Sequence, residues 1–333
     1  MITKQIQLWP IHYKPMPDEL LSSWLVRLAH GHGLKVQTFC NLLFGNRRQV
    51  WNRDIDRLAP DWLIAELSAR TATPLAVAYG TTLRSFEGAI YPRFKLSGVL
   101  PWMLPLQMYH RKRQGFGLQF CRECLTEGEL PYFRKSWRVA FATMCIKHEG
   151  VLKDRCGYCG ASLAFHRVDM RAREQSGPWL LTNCHACGEN ISHGEVPNPR
   201  PYDPAALAWL RSLTKRLHDA PGDVAADLAI TRQLSTLLTS RYSTVSLQEY
   251  VCDQLGVEPI PISRKRIAFE TRPLSERHHF LQLASWLQVD LSERLRQAWR
   301  ARAVRYNHLL KDFVNPPVAY VRLAEQFSNW RLR

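Results

Sequence analysis

Four short pairs of metal-binding side chains constrain this chain more than any other feature. Between residues 121 and 187 the sequence holds three Cys-x-x-Cys pairs and one Cys-x-x-His pair. A two-residue gap lets one tight turn present two ligands, and two such knuckles complete the tetrahedron that structural zinc prefers. The pattern therefore predicts two structural Zn2+ ions, with no ligand position left for a catalytic water.

The spacing leaves two pairings of the knuckles open. A consecutive pairing closes one site across 20 intervening residues and the other across 24, and gives two small β zinc ribbons. An interleaved pairing would instead join the first knuckle to the third. We favour the consecutive pairing, whose ligand sets are Cys121, Cys124, Cys145 and His148, and Cys156, Cys159, Cys184 and Cys187. The nearby His185 and His193 are interpreted as surface residues or as supports behind the ligands.

The other cysteines and the composition indicate a reducing compartment. Cys40 and Cys252 lie in apolar helical patterns and are predicted to be plain core residues. The first 21 residues lack the apolar run of a secretion signal, and no stretch approaches the roughly 18 apolar residues of a membrane span. We therefore expect a cytoplasmic protein without membrane segments, whose clustered cysteines bind metal rather than form disulfides.

The chain is strongly basic, with 45 Lys and Arg against 29 Asp and Glu and a net charge of +16. Such an excess favours a polyanionic partner, nucleic acid before a membrane surface. Candidate phosphate contacts are Arg47, Arg48, Arg111, Lys112, Arg113, Arg264, Lys265 and Arg266, together with Arg294, Arg296, Arg300, Arg302 and Arg305. The alternatives are a solvated loop for Arg111, Lys112 and Arg113, and a solubilising helix face for the basic tail.

Helical periodicity is clearest on both sides of the cysteine-rich segment. Residues 17–44 are predicted to form two helices, with Asp18 as N-cap and Gly31 ending the first, in helix-turn-helix proportions that also suit a simple packed hairpin. A second pair is predicted with Asp61 as the N-cap of its first helix, and the Gly- and Pro-rich residues 88–120 are expected to be loops with short strands. Beyond a linker, Asp203 is a candidate cap, and further helices are predicted at 224–239, 246–255, 275–289 and 291–306.

These patterns together predict a mainly α protein with small β zinc ribbons. We expect an N-terminal helical, helix-turn-helix-like domain at 1–118, a tandem zinc-binding region at 119–200 and a basic helical domain at 201–333. No Walker lysine motif, Gly-x-Ser-x-Gly or His-Glu-x-x-His occurs in the sequence, so no enzymatic activity is predicted.

The assembled motifs resemble the TniQ/TnsD family of transposon target-selection proteins. Two blocks carry the resemblance: PDELLSSWLVRLAHGHGLKVQTFCNLLFG, and the zinc region from FCREC through RCGYCG with Tyr132, Phe133 and Trp137 between its first two knuckles. The likeness covers about residues 12–200, and it implies the same eight zinc ligands. Many members place proline inside the knuckles, whereas this chain does not.

The resemblance implies an adaptor without catalysis. One surface would recognise target DNA, or a Cascade-type guide-RNA complex bound to it, and another would recruit a TnsC-type AAA+ ATPase; some members form head-to-tail homodimers. The alternative is a stand-alone zinc-containing transcription regulator, which would share the charge and the helical pairs but would need no ATPase partner.

Overall fold

The computed structural model describes residues 7–45, 50–109, 112–113, 115–127, 130–170, 180–193, 199–219, 224–240, 246–263 and 267–328. This part of the chain is mainly helical, as predicted. Packing divides the chain into two compact units, one of Met1–Glu87 with Tyr91–Asn198 and one of Gly88–Ile90 with Pro199–Arg333. The first unit holds both the N-terminal helices and the cysteine-rich segment. The three-domain division stays a prediction.

The first unit is built from short helices and turns. Its helices are α1 Leu21–Gly31, α2 Val36–Phe44, α3 Ile55–Leu58, α4 Asp61–Thr71, α5 Leu75–Gly80 and α6 Arg122–Thr126. Strands β1 (Met108–Tyr109) and β2 (Lys112–Arg113) form an antiparallel hairpin, in the region expected to be loops with short strands. Three 3-10 turns lie at Leu83–Phe86, Lys135–Arg138 and Phe165–Met170.

Helix α1 forms the core of this unit. Its apolar stripe of Leu21, Trp24, Leu25 and Leu28 is completely buried. The helix ends at Gly31, as predicted, where a Cβ atom would come within 2.5 Å of the Tyr13 ring. Helices α1 and α2 therefore form the expected hairpin.

Two predicted N-caps are wrong. Asp18 has a positive φ of 57°, and its carboxylate accepts a hydrogen bond from the N–H of Ser136 at 3.2 Å, so it caps the turn at Lys135–Arg138 instead of α1. Asp61 starts α4 without capping it, because its exposed carboxylate pairs with Arg84 at 2.7 Å. In both cases a distant partner binds the carboxylate that local sequence assigns to the helix.

A buried cation joins the cysteine-rich segment to the helices of this unit. Arg138 is completely buried, and its guanidinium lies 2.6 Å from Asp54 and 3.0 Å from Asp56. Asp56 also accepts from the N–H and hydroxyl of Ser22 at the start of α1. Burial raises the pKa of Asp56, the positive charge of Arg138 partly offsets this shift, and the resulting pKa is about 6. This network is absent from the sequence predictions.

The described residues of the second unit form mainly helices joined by turns. Its helices are α7 Pro204–Asp219, α8 Ala225–Leu238, α9 Leu247–Leu255, α10 Leu274–Val289, α11 Leu291–Arg300, α12 Tyr306–Leu310 and α13 Val318–Ala324. The predicted cap is present, since Asp203 accepts from the N–H of Ala206 at 2.7 Å. The helix predicted over 291–306 is too long. It stops at Arg300 because Arg302 turns into the left-handed region at φ 61° and the apolar Ala303 and Val304 are buried.

The two isolated cysteines are core residues, as predicted. Cys40 is 2% exposed and accepts a hydrogen bond from the Trp51 indole at 3.3 Å. Cys252 is 1% exposed and lies 3.9 Å from Nε2 of His279. Among the described helices, none has both the length and the hydrophobicity that crossing a bilayer requires.

Candidate metal centres

The eight predicted ligands come together in the two consecutive groups. Cys121, Cys124, Cys145 and His148 form the first cluster, and Cys156, Cys159, Cys184 and Cys187 form the second cluster. Within each cluster the four candidate ligand atoms lie within 4.8 Å of one another. The interleaved pairing does not occur, because the first and third knuckles belong to different clusters.

The interatomic distances fit a tetrahedral zinc ion. With Zn–S of about 2.3 Å and Zn–N of about 2.05 Å, tetrahedral geometry places sulfurs about 3.8 Å apart and sulfur and nitrogen about 3.5 Å apart. In the first cluster Sγ of Cys124 and Cys145 are 3.6 Å apart, and Nδ1 of His148 lies 3.3, 3.4 and 3.6 Å from the sulfurs of Cys121, Cys124 and Cys145.

The second cluster has the same dimensions. The sulfurs of Cys156 and Cys187 are 3.7 Å apart, as are those of Cys159 and Cys184. These separations far exceed the disulfide bond length of about 2.05 Å. This cluster is more open than the first, since Cys159 is exposed while Cys156 and Cys184 are buried.

Three of the four knuckles share one backbone pattern. In each, the N–H of the first ligand donates to the carbonyl five residues later, and its own carbonyl accepts from the N–H four residues later; the first ligands are Cys145, Cys156 and Cys184. The residue four positions after each first ligand has a positive φ, which is 70° at Gly160, 89° at Gly188 and 56° at Glu149. Glycine suits this conformation, which explains two of the three positions.

Single β-bridges complete the ribbon geometry around these knuckles. One residue outside each knuckle, the chain pairs antiparallel with itself; the bridges are Met144 with Val151, Arg155 with Ser162, and Asn183 with Asn190. The remaining knuckle is built differently, because Cys121 precedes α6 and Cys124 lies in its first turn. The predicted zinc ribbons are thus three hairpin knuckles and one helical turn.

Crowding shifts the pKa values of the thiols apart. Hydrogen bonds with Cys124 and Cys145 raise the pKa of Cys121, whereas bonds from Cys121 and Cys124 lower that of Cys145. In the second cluster, burial raises the pKa of Cys187 to about 12. Several thiolates this close together need a compensating charge, which a divalent cation supplies.

A carboxylate that sequence reasoning missed orients the only imidazole ligand. Nε2 of His148 lies 2.6 Å from Oε1 of Glu127, while Nδ1 faces the three sulfurs. Glu127 is held in turn by Lys147. A carboxylate that accepts from Nε2–H leaves the lone pair on Nδ1, where a metal would bind. The signal in the sequence is only an acidic residue three positions after Cys124.

Replacing Glu127 with alanine should weaken zinc binding at the first cluster about 10- to 100-fold, because the imidazole loses the partner that fixes its tautomer. Competition with a chromophoric chelator would measure the affinity. Glu189→Ala is the matched control, since Glu189 is an exposed acid two positions after Cys187, the last ligand of the second cluster. Equal affinity in Glu127→Ala and the wild type would contradict this role.

The clusters are tied to the helical hairpin of the same unit. The carbonyl of Phe133 accepts from the N–H of Leu20, and its N–H donates to the Ser23 hydroxyl at 3.0 Å. Beyond the third knuckle, the Asp169 carboxylate accepts from the N–H of Val36 at the start of α2 and lies 3.4 Å from Nε2 of His30. The cysteine-rich segment therefore fixes the entry to both helices.

Five of the candidate phosphate contacts can be placed: the Arg294 guanidinium lies 4.1 Å from the Trp286 ring, Arg296 pairs with Glu293, Arg305 donates to His308 at 2.9 Å, and Arg300 and Arg302 are exposed. The other eight cannot be placed. Arg47, Arg48, Arg111, Arg264, Lys265 and Arg266 lie outside the described residues. Lys112 and Arg113 form β2, of which the backbone alone is described. These eight residues remain a prediction.

The comparison with known families matches part of the first unit. The family model described as TniQ matches residues 10–152. This part of the chain belongs to the TniQ family. The matched region contains the α1–α2 hairpin, the first cluster and the Arg138 network, whereas the second cluster begins just beyond it. The TniQ region associates the protein with target selection in transposition. A search of curated proteins gave no match.

Proposed function

We propose that this TniQ protein is a non-catalytic adaptor that selects the insertion site of a transposon. The observation that carries the proposal is the TniQ match over residues 10–152, the region that contains the first four-ligand cluster. In this role one surface recognises target DNA, or a guide-RNA complex of the Cascade type bound to it. Another surface recruits a TnsC-type AAA+ ATPase, and the protein acts as a monomer or homodimer in the cytoplasm.

The two clusters would hold structural Zn2+ in this adaptor. The sulfur and nitrogen distances match a tetrahedral ion, and all four positions of each site would be protein ligands. When bound, each ion would supply binding energy for folding, of about 10–16 kcal/mol in comparable structural sites. The residues around the clusters then act as a scaffold: Glu127 orients His148, and Phe133 and Asp169 hold α1 and α2.

Omitting the protein from a reconstituted insertion reaction should abolish targeted insertion, while strand transfer into random DNA persists under permissive conditions. The expected result follows because an adaptor contributes binding surfaces rather than reacting groups. Sequencing the insertion junctions would measure it, with transposase, ATPase and donor DNA held constant. A catalytically inactive transposase serves as the control for joining chemistry.

DNA cleavage or joining by the protein alone, surviving stringent repurification, would refute the adaptor proposal. A different result would favour the transcription regulator: tight binding to one operator sequence with no measurable association with the ATPase. Pull-down of the ATPase by the purified protein separates these two outcomes.

A further inference from the structure

The last three helices of the second unit form a packed trihelical group. The Trp299 ring at the end of α11 lies 6.0 Å from Phe327, and its indole donates to the carbonyl of Ser328 at 3.1 Å. Between α12 and α13, the Tyr320 ring lies 5.4 Å from Phe313, and its hydroxyl donates to the carbonyl of Leu309. Helix α13 is thus held against α12, and the segment after α13 is held against the end of α11.

Helix α13 and the residues that follow it have one buried and one exposed face. Tyr320, Ala324 and Phe327 are at most 2% exposed, and their spacing of four and three places them on one side of a helix. The opposite side carries Val318, Arg322, Glu325 and Gln326, all exposed. Val318 is 66% exposed, so its methyl groups face solvent.

The surroundings of this exposed face are cationic. Residues 291–328 contain seven Lys or Arg and three Asp or Glu, a net charge of +4. Arg300 ends α11 and Arg302 follows two residues later, and both are exposed. The neighbouring Trp299 contacts Phe327 in the segment after α13. Exposed arginines therefore lie on α13 itself and beside its C-terminal end.

From this geometry we infer that α13 reads the major groove of duplex DNA, while Arg300 and Arg302 contact the flanking phosphates. The inference rests on the proposed function and names the element that would recognise the target. A helix fits the major groove, which is about 12 Å wide. The exposed face also carries suitable groups for base edges: Arg322 for guanine and the Val318 methyls for thymine on α13, and Gln326 for adenine and Glu325 for cytosine in the turn that follows it.

Salt-dependent binding of the full-length protein to a labelled DNA duplex tests the phosphate contacts. In the variant Arg300→Ala/Arg302→Ala/Arg322→Ala, the slope of log affinity against log salt should fall by about 0.9 for each arginine that no longer neutralises a phosphate. The matched control is Arg53→Ala/Arg93→Ala/Lys95→Ala, which removes the same charge from exposed positions of the first unit. An unchanged slope in the first variant, or an equal fall in both, would overturn the inference.

Selection from a random duplex pool tests base reading separately. Val318→Ser/Gln326→Ala should alter the enriched sequence while the salt slope stays at the wild-type value, because neither residue carries charge. An unaltered sequence preference would refute base reading by α13, and so would a wild-type protein that binds no duplex. ATPase pull-down with the same preparations shows whether the adaptor proposal survives such a failure.

Discussion

Replacing Cys156 with serine is expected to reduce the zinc content from two ions to one per chain and to unfold the segment around the second cluster. The thiolate is one of four ligands, and its loss leaves the metal incompletely coordinated. Among its described residues this segment consists of turns, single β-bridges and one 3-10 helix, so it depends on the binding energy of the ion. Elemental analysis would count the zinc, and hydrogen exchange over residues 154–192 would report the unfolding.

Cys252→Ser is the matched control, because Cys252 is equally buried but belongs to neither cluster. It should retain two zinc ions and lose about 1–3 kcal/mol of stability, the cost of burying a poorly paired hydroxyl. One zinc ion or fewer in freshly purified wild-type protein would refute the metal assignment. Equal effects of the two substitutions would refute the role of Cys156.

Replacing Arg138 with methionine should destabilise the first unit by about 3–5 kcal/mol. The substitution leaves Asp56 buried without its cation, next to a second carboxylate from Asp54. Denaturant unfolding with the clusters metal-loaded would measure the change. The same destabilisation should not occur in Arg70→Met, because the pair of Arg70 with Glu66 is more than one-third exposed and such pairs contribute about 1 kcal/mol or less.

A double variant separates the ion pair from simple packing. Adding Asp56→Asn to Arg138→Met removes one of the stranded charges, so it should recover part of the stability. A destabilisation below about 1 kcal/mol in Arg138→Met alone would show that the network contributes little.

The metal ligands are accessible to sequence reasoning because their information is local. A knuckle is a four-residue pattern, whereas the choice between consecutive and interleaved grouping is settled by the positions of the ligand atoms in the fold. The apolar stripe of α1 is predictable for the same reason, since Leu21, Trp24, Leu25 and Leu28 repeat with helical spacing. The mainly helical fold is confirmed on this basis.

The errors arise where a side chain has a distant partner. Asp18 binds a turn 118 residues later in the chain, and Arg138 binds carboxylates 82 and 84 residues earlier. Neither contact leaves a periodic or spaced pattern. Glu127 escapes sequence reasoning because its role depends on the direction in which the second nitrogen of His148 points. The predicted α11 is too long because residues 301–306 include no helix-breaking Gly or Pro.

The consecutive grouping of the ligands also has a consequence for synthesis. Each cluster is complete within a short stretch, the first at His148 and the second at Cys187. A chain growing from its N-terminus therefore presents both full ligand sets before residues 199–333 have been made. Metal can therefore bind before the second unit is synthesised. In an interleaved arrangement, the site of the first knuckle would be complete only after the third knuckle had been synthesised.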